Sequence, residues 1–281
     1  MKSQIRLSTK RLSHPRGAAR AKPVRATVIH PTAIVHPRAR VAEGCVIGPF
    51  CVIGEHVELG PNCRLHSHVV IDGHTRLGRD NEIFPFASIG LRTQDLKWKG
   101  GVTRTEIGDR NTIRECVTIH SATRDGESTL IGNENNILAG SHIGHNVVLG
   151  NRVIVSMAAL AGHVIVEDHA LVGGLSAVHQ FCRIGRMSII AGCAKVVQDV
   201  PPFMLVDGNP AVTRSVNKIG LERNGVSERA QAALRRAHKI LFRDGLTIPN
   251  ALAKIEFDLP GIPEVAHLVD FVRSSERGIT K

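Results

Sequence analysis

Ile131-Gly-Asn-Glu-Asn-Asn-Ile137-Leu-Ala-Gly-Ser-His-Ile143-Gly-His-Asn-Val-Val-Leu149 carries an aliphatic residue at every sixth position. An α-helix cannot keep such a series on one face, because six steps of about 100° do not close a turn. Short strands with a corner every six residues can. Upstream the same anchor recurs without a miss at Ile29, Val35, Val41, Ile47, Ile53, Leu59, Leu65, Ile71, Leu77, Ile83 and Ile89, and again at Ile107, Ile113 and Ile119. Downstream it continues through Val155, then Leu160, Val166, Val172, Val178, Ile184, Ile190 and Val196. The residue after the anchor is often Gly, and the fifth of the hexad is often small or β-branched. Three hexads make one triangular coil, and successive coils pair as parallel strands about 4.8 Å apart. The 26 anchors predict an all-β, hexapeptide-repeat parallel β-helix of about eight to nine coils.

Departures from the period divide the chain. Residues 1–26 are Arg/Ser-rich and free of acids, which reads as a basic disordered extension or a targeting segment. The β-helix is expected over residues 27–212, with excursions at 91–105 and 121–129, since loops leaving a rigid solenoid are where function concentrates. One hexad, Val155 to Leu160, is a residue short and lies between His145 and His163, which puts the alignment of that pair in question. After Pro201-Pro202 the period stops, and residues 213–281 read as a small all-α C-terminal domain. Its longest helix runs from an N-cap at Ser227 to Phe242, with Gly245 as its stop; two shorter ones follow around Pro249–Phe257 and Pro263–Ser274.

Composition excludes several classes. The net charge of +11 is local: residues 1–25 carry +8, residues 26–213 carry −1, and residues 214–281 carry +4. Aromatics are only 3%, so bases would find no stacking platform and no nucleic-acid partner is expected. No apolar run reaches the length of a membrane span. The six cysteines show no C-x-x-C pair, and four of them take the small fifth position, so they read as reduced, small hydrophobes in a non-oxidising compartment, which suits a cytoplasmic protein. A transit-peptide reading of residues 1–26 would instead make it organellar.

Counting in hexads locates the remaining chemistry. His145, His163 and His179 stand three hexads apart and project from one face on successive coils, with His142 at the corner just before His145. A lone histidine in a β-helix is an exposed turn residue, but a same-face ladder is not explained that way. General base catalysis suits a neutral imidazole with an ordinary pKa near about 6.5. A zinc site would need about three ligands converging on one point, whereas a ladder spreads them along a groove.

Beyond the hexads, the chain resembles the bacterial UDP-N-acetylglucosamine O-acyltransferases of lipid A biosynthesis. The resemblance rests on His30-Pro-Thr-Ala-Ile-Val35, His68-Val-Val-Ile-Asp-Gly-His-Thr75, Gln94-Asp-Leu-Lys97, Leu160-Ala-Gly-His-Val164, Ala177-Val-His-Gln-Phe-Cys182 and Gln198-Asp-Val-Pro-Pro202. It implies a left-handed β-helix, against the usual right-handed crossover, and a homotrimer with sites in clefts between prisms. It further implies transfer of an (R)-3-hydroxyacyl chain from acyl carrier protein to the glucosamine 3-hydroxyl of UDP-N-acetylglucosamine, without cofactor or metal. By the same resemblance His145 is the general base and the Gly162 N–H the oxyanion donor. Gln94, Asp95, Lys97, His142, His163, His179, Asn217 and Arg223 bind substrate, and Gly192 is the acyl-chain ruler.

This chain departs from the family pattern beside its base. Asn146 stands where aspartate is familiar, and its carbonyl can accept the Nδ1 proton but offers no charge to stabilise imidazolium, so a weaker base or another orienter is expected. Pro210 stands where a histidine is familiar. Rival functions are a zinc-dependent hydratase of the gamma carbonic anhydrase type and a non-catalytic nucleotide-sugar-binding trimer. A related N-acyltransferase would need a sizeable N-terminal uridine-binding domain.

Overall fold

A computed structural model describes residues 26–281; the basic extension lies outside the described residues except for its last position. From Val28 the chain winds as a left-handed β-helix whose two-residue strands stack into three sheets. Val46–Ile47 belongs to the first sheet, Val52–Ile53 to the second and Glu58–Leu59 to the third, and the pattern repeats coil after coil. All pairings between coils are parallel, anchor on anchor: Ile47 opposite Leu65, Ile53 opposite Ile71, Leu59 opposite Leu77. In each two-residue strand the second residue is the anchor and points inward, and in the four-residue strands His74–Leu77, Arg104–Ile107 and Ser128–Ile131 the anchor is the last; Ile53, Ile83, Ile113 and Ile143 are fully buried. Each anchor removed from water contributes roughly 1.5–3 kcal/mol, and the summed column holds a fold that has almost no local hydrogen bonds within a strand.

Most corners follow one recipe, those at Thr32, Arg38 and His56 excepted. The fourth residue of the hexad takes a left-handed backbone conformation, and at most corners it is not glycine: Phe50, Asn62, His68, Asp80, Arg110 and Glu134 all have φ between 54° and 60°. That conformation costs about 1–2 kcal/mol for an L-residue. It is offset by a hydrogen bond between coils, as His68 N–H to Pro49 O (3.0 Å), Arg110 N–H to Arg79 O (2.9 Å) and Glu134 N–H to Asp109 O (2.9 Å). The third residue has no such duty for its N–H, so proline is tolerated there, at Pro49, Pro61 and Pro85.

Inside the corner between the third and first sheets, the fifth residues form a polar and sulfur column. Cys45 and Cys63 lead to Asn81, Asn111 and Asn135, whose side chains bond the next coil's backbone (Asn111 N–H to Asn81 Oδ1, 2.9 Å; Asn135 N–H to Asn111 Oδ1, 2.9 Å). The fifth-position cysteines Cys45, Cys51, Cys63 and Cys182 are buried, whereas Cys116 and Cys193, at fourth positions, are exposed. All six are free.

The short hexad is absorbed without cost to register. Its missing residue falls in the turn between strands Ile154–Val155 and Ala159–Leu160, and the second sheet resumes with His142 opposite Ala159 and Ile143 opposite Leu160. His163 therefore keeps its place above the His145 coil, with its N–H bonded to the His145 carbonyl at 3.0 Å.

The end of the prism is not a plain stop. Met204–Gly208 adds to the first sheet and turns back as an antiparallel hairpin with Ala211–Val216. Four helices follow: α1 Lys218–Arg223, α2 Glu228–Phe242, α3 Ile248–Asp258 and α4 Pro263–Arg273. Ser227 caps α2 by accepting the Ala230 N–H at 3.2 Å, and Ala233, Leu234, Ala237, Ile240 and Leu241 form its buried face. The helices clamp the last coils through His267 to Glu167 (2.7 Å) and the Arg183 guanidinium over Phe271 (4.1 Å). No helix among the described residues is long and apolar enough to cross a membrane.

Candidate active site

The corner between the second and third sheets gathers the histidines. Successive coils place His145, Gly162 and Gln180 at its third positions and Asn146, His163 and Phe181 at its fourth. A side chain at Gly162 would occupy the space of His145: a Cβ built there lands on its Cε1 and Nε2 atoms. The absence of a side chain lets the His145 ring fold over the next coil. There it meets His163 edge to face, with centroids 5.1 Å apart, while His163 stacks on Phe181 at 4.7 Å. The Gly162 N–H has no protein partner among the described residues. It stands beside His145 Nε2 as an unused donor.

The tautomer of His145 follows from the surrounding donors. Its Nδ1 lies 3.0 Å from Asn146 Oδ1. The orientation of that amide is settled by two partners whose roles cannot reverse: Oδ1 accepts the Thr123 backbone N–H (3.1 Å), and Nδ2 donates to the Glu127 carboxylate (2.8 Å). An oxygen facing Nδ1 requires a proton on Nδ1, which leaves the lone pair on Nε2. Nε2 is the atom turned toward Asp95, whose Oδ2 is 3.8 Å away. The Lys97 backbone N–H, bonded to Asp95 Oδ1 at 3.0 Å, holds the Asp95 carboxyl below the ordinary carboxylate range, with His145 adding to the effect.

Two loops build the wall around this corner. Residues 92–103 and 121–127 are stitched to each other by Thr93 Oγ1 to Thr123 Oγ1 (3.2 Å), Thr103 Oγ1 to Ser121 Oγ (3.1 Å) and Gly126 N–H to Val102 O (2.9 Å). At the tip of the first, Gln94 and Lys97 are exposed and Leu96 between them is wholly so.

On the adjoining second sheet, His142 accepts or donates to Thr118 Oγ1 at 2.7 Å and meets His120 edge to face at 4.9 Å. Burial, and then the proximity of His145, lowers the pKa of both His142 and His163. Burial together with His142 and His145 pushes His120 down to about 4. The cluster is thus held neutral at pH 7. His120 escaped sequence reasoning because it sits one residue after its anchor, where glycine is usual, immediately before the loop that interrupts the period. The break in that glycine position is the signal that could have found it. Among the described residues, no three His, Cys, Asp or Glu side chains gather as metal ligands.

The other expected residues lie elsewhere in the same chain. His179 is on the same edge one coil beyond His163, exposed, with Nδ1 3.0 Å from Gln180 O and 3.4 Å from an Arg277 nitrogen. Asn217 caps α1, accepting the Gly220 N–H (3.0 Å) and donating to Met187 O (2.8 Å), and Arg223 is exposed in that helix's last turn. Met187 marks the edge between the third and first sheets, so the single chain does not bring Asn217 and Arg223 to His145. Gly192 is on the remaining edge, between the first and second sheets, where a Cβ would meet only Gly174 O at 3.2 Å.

Comparison with known proteins places this geometry. Residues 199–280 match the family model described as UDP-N-acetylglucosamine O-acyltransferase domain 2, and residues 39–73 match the bacterial transferase hexapeptide model. The LpxA structure from Acinetobacter baumannii is 42% identical, with a TM-score of 0.87, and the match covers 90% of this chain and 100% of that one. LpxA from Bacteroides fragilis, a UDP-N-acetylglucosamine acyltransferase, is 38% identical with a TM-score of 0.87, covering 90% and 100%. The Arabidopsis UDP-N-acetylglucosamine acyltransferase is 35% identical with a TM-score of 0.81 over the same shares.

Proposed function

The chain belongs to the UDP-N-acetylglucosamine O-acyltransferase family, and on that premise we propose that it transfers an (R)-3-hydroxyacyl chain from acyl carrier protein to the 3-hydroxyl of UDP-N-acetylglucosamine, opening lipid A synthesis. The observation that carries the reading is the tautomer of His145. With Nδ1–H committed to Asn146, the Nε2 lone pair is free to take the hydroxyl proton as the sugar oxygen attacks the thioester carbon. The carbonyl oxygen becomes an oxyanion beside the unused Gly162 N–H. Collapse expels the thiolate, which recovers the proton from Nε2, so atoms and charge balance without a cofactor. The transient imidazolium forms 3.8 Å from Asp95, an attraction on the order of 4 kcal/mol at an effective dielectric of 20.

The remaining roles follow the same reading. Gln94, Asp95 and Lys97 on the first loop hold the nucleotide sugar from one side, and His142, His163 and His179 line its path along the prism. The enzyme is a homotrimer, so that Asn217 and Arg223 enter the cleft from a neighbouring copy, where a guanidinium suits a diphosphate. The apolar row on the edge between the first and second sheets supports that assembly: Phe86 is 59% and Leu175 67% exposed in the single chain. The basic C-terminal segment, +4 over residues 214–281, suits an acidic carrier protein, and the six free cysteines suit the cytoplasm. Gly192, open on one side, sets the depth available to the acyl chain. Purified protein assayed with hydroxyacyl carrier protein and UDP-N-acetylglucosamine should turn over, and His145→Ala should lose about 10³-fold or more. Undiminished turnover in that variant would remove the mechanism.

A further inference from the structure

His145 lacks a carboxylate on Nδ1, yet one stands a single side chain away. Glu127 Oε2 accepts from Asn146 Nδ2 at 2.8 Å, and Asn146 Oδ1 faces His145 Nδ1 at 3.0 Å. The relay is held at every joint. The Asn146 backbone N–H donates to Thr129 Oγ1 (2.9 Å), and its Oδ1 also takes the Thr123 N–H (3.1 Å). The Glu127 backbone is pinned by its own N–H to Arg124 O (3.1 Å) and by Arg104 N–H to its carbonyl (3.0 Å). Among the described residues no salt bridge within 4.0 Å ties the Glu127 carboxylate, which accepts from the Asn146 amide, while the Arg104 guanidinium bonds the neighbouring Gly126 carbonyl at 3.4 Å. A charge at the NH₂ end of an amide pushes electron density onto the oxygen. The Nδ1–H···Oδ1 bond is strengthened, and a negative charge is brought to bear on the imidazolium through two hydrogen bonds.

We propose that Glu127 is a positioning residue for the acyl transfer, acting through Asn146 to orient His145 and to stabilise its protonated form. The proposal rests on His145 being the base. Other groups also face that ring or its neighbours: Asp95 from the first loop, His120 and His142 from the second sheet, His163 from the next coil and, next to His163, Arg124. Of these only Asp95 is anionic, and it faces Nε2. Glu127 alone supplies negative charge on the Nδ1 side.

Rates are to be measured against pH, with hydroxyacyl carrier protein and UDP-N-acetylglucosamine, for the wild type, Glu127→Gln, Asn146→Asp, the double variant carrying both, and His145→Ala. Glutamine can still accept from Asn146 Nδ2, so Glu127→Gln removes charge while keeping the contact. Its kcat should fall about tenfold with KM unchanged, and the acid limb of kcat/KM should move to lower pH, since a less stabilised imidazolium gives up its proton more readily. Asn146→Asp alone sets two carboxylates against each other and should also impair turnover. Joined to Glu127→Gln, it places one carboxylate directly on Nδ1, with the glutamine amide donating to it. That double variant should recover most of the lost rate and return the acid limb toward higher pH, which a merely structural Glu127 would not do. An unshifted acid limb and wild-type kcat in Glu127→Gln, or a double variant no better than either single one, overturns the proposal. If His145→Ala retains turnover, the base assignment itself has failed. If it is inactive while Glu127→Gln is unaffected, only the relay has failed.

Discussion

Between the third and first sheets the non-glycine left-handed corner positions hold Asn62, Asp80, Arg110, Glu134, Arg152 and His169, with Met187 only at the last coil, whereas between the first and second sheets they hold Phe50, His68, Phe86, Cys116, Met157, Leu175 and Cys193. The backbone is the same at both edges. On the first of these, charges pair along the prism: Arg110 and Arg152 each reach Glu134 at 2.7 Å. On the second, apolar side chains stand in a row in solvent, stacking only on each other, as His68 does between Phe50 (5.0 Å) and Phe86 (4.9 Å). A row of this kind contributes nothing to the chain's own core and is a surface awaiting a cover. The third edge, where His145 lies, is neither; His145, Asn146 and His163 are half-buried beside the two loops, while His179 and Phe181 one coil further on are exposed. In a solenoid the fold repeats, and function is assigned edge by edge through the side chains the repeat leaves free.

Substitutions at the three edges test that division. The largest effect is expected on the catalytic edge, where Gly162→Ala forces the His145 ring aside; kcat should drop by about 10²–10³-fold, with circular dichroism unchanged. On the apolar edge, Phe86→Asp should dissociate the proposed trimer to smaller species in analytical ultracentrifugation, and activity should fall with assembly because Asn217 and Arg223 would no longer reach a neighbouring copy as proposed. A still-trimeric Phe86→Asp would show that this row is not the interface.

Acid should unfold the protein through the catalytic edge. The His120 pKa is lowered in the folded state to about 4, so between its ordinary value and 4 the unfolded chain binds the extra proton. Stability is therefore full above pH of about 6.5 and declines as pH falls toward 4, by about 3 kcal/mol from this group. His142 and His163, also lowered, act with the same sign. Melting temperature against pH should flatten in His120→Gln. Gly192→Met should leave stability nearly unchanged and shift preference to shorter acyl chains, read from a panel of hydroxyacyl donors. Smallest of all, Arg110→Ala on the charged edge should change stability by less than about 1 kcal/mol, since exposed pairs are screened by water and salt.

The period of six made the prism legible, because each anchor must be apolar to fill the coil interior; the cysteines, read alike as small hydrophobes, divide in the structure, with Cys116 and Cys193 exposed. The same count put His145, His163 and His179 on one edge. Three things were not visible that way. The hairpin Met204–Gly208 with Ala211–Val216 continues the first sheet after the period has ended, so no repeat announces it. His120 is masked by the loop that follows it. Glu127 lies in a polar loop, 19 residues before its partner Asn146, and nothing in its neighbours marks it.

The chain's own sequence determined the solenoid, its neutral body, its free small cysteines and the family to which it belongs, since all of these rest on residue type at a fixed spacing. Tertiary structure decided the tautomer of His145. Which nitrogen of His145 carries the proton depends on the orientation of one amide, and that depends on a backbone N–H and a carboxylate that the loop 121–127 brings against Asn146. The short hexad between His145 and His163 is resolved likewise: a turn absorbed the missing residue because register is held by the hydrogen bonds of whole coils, not by the count along the chain.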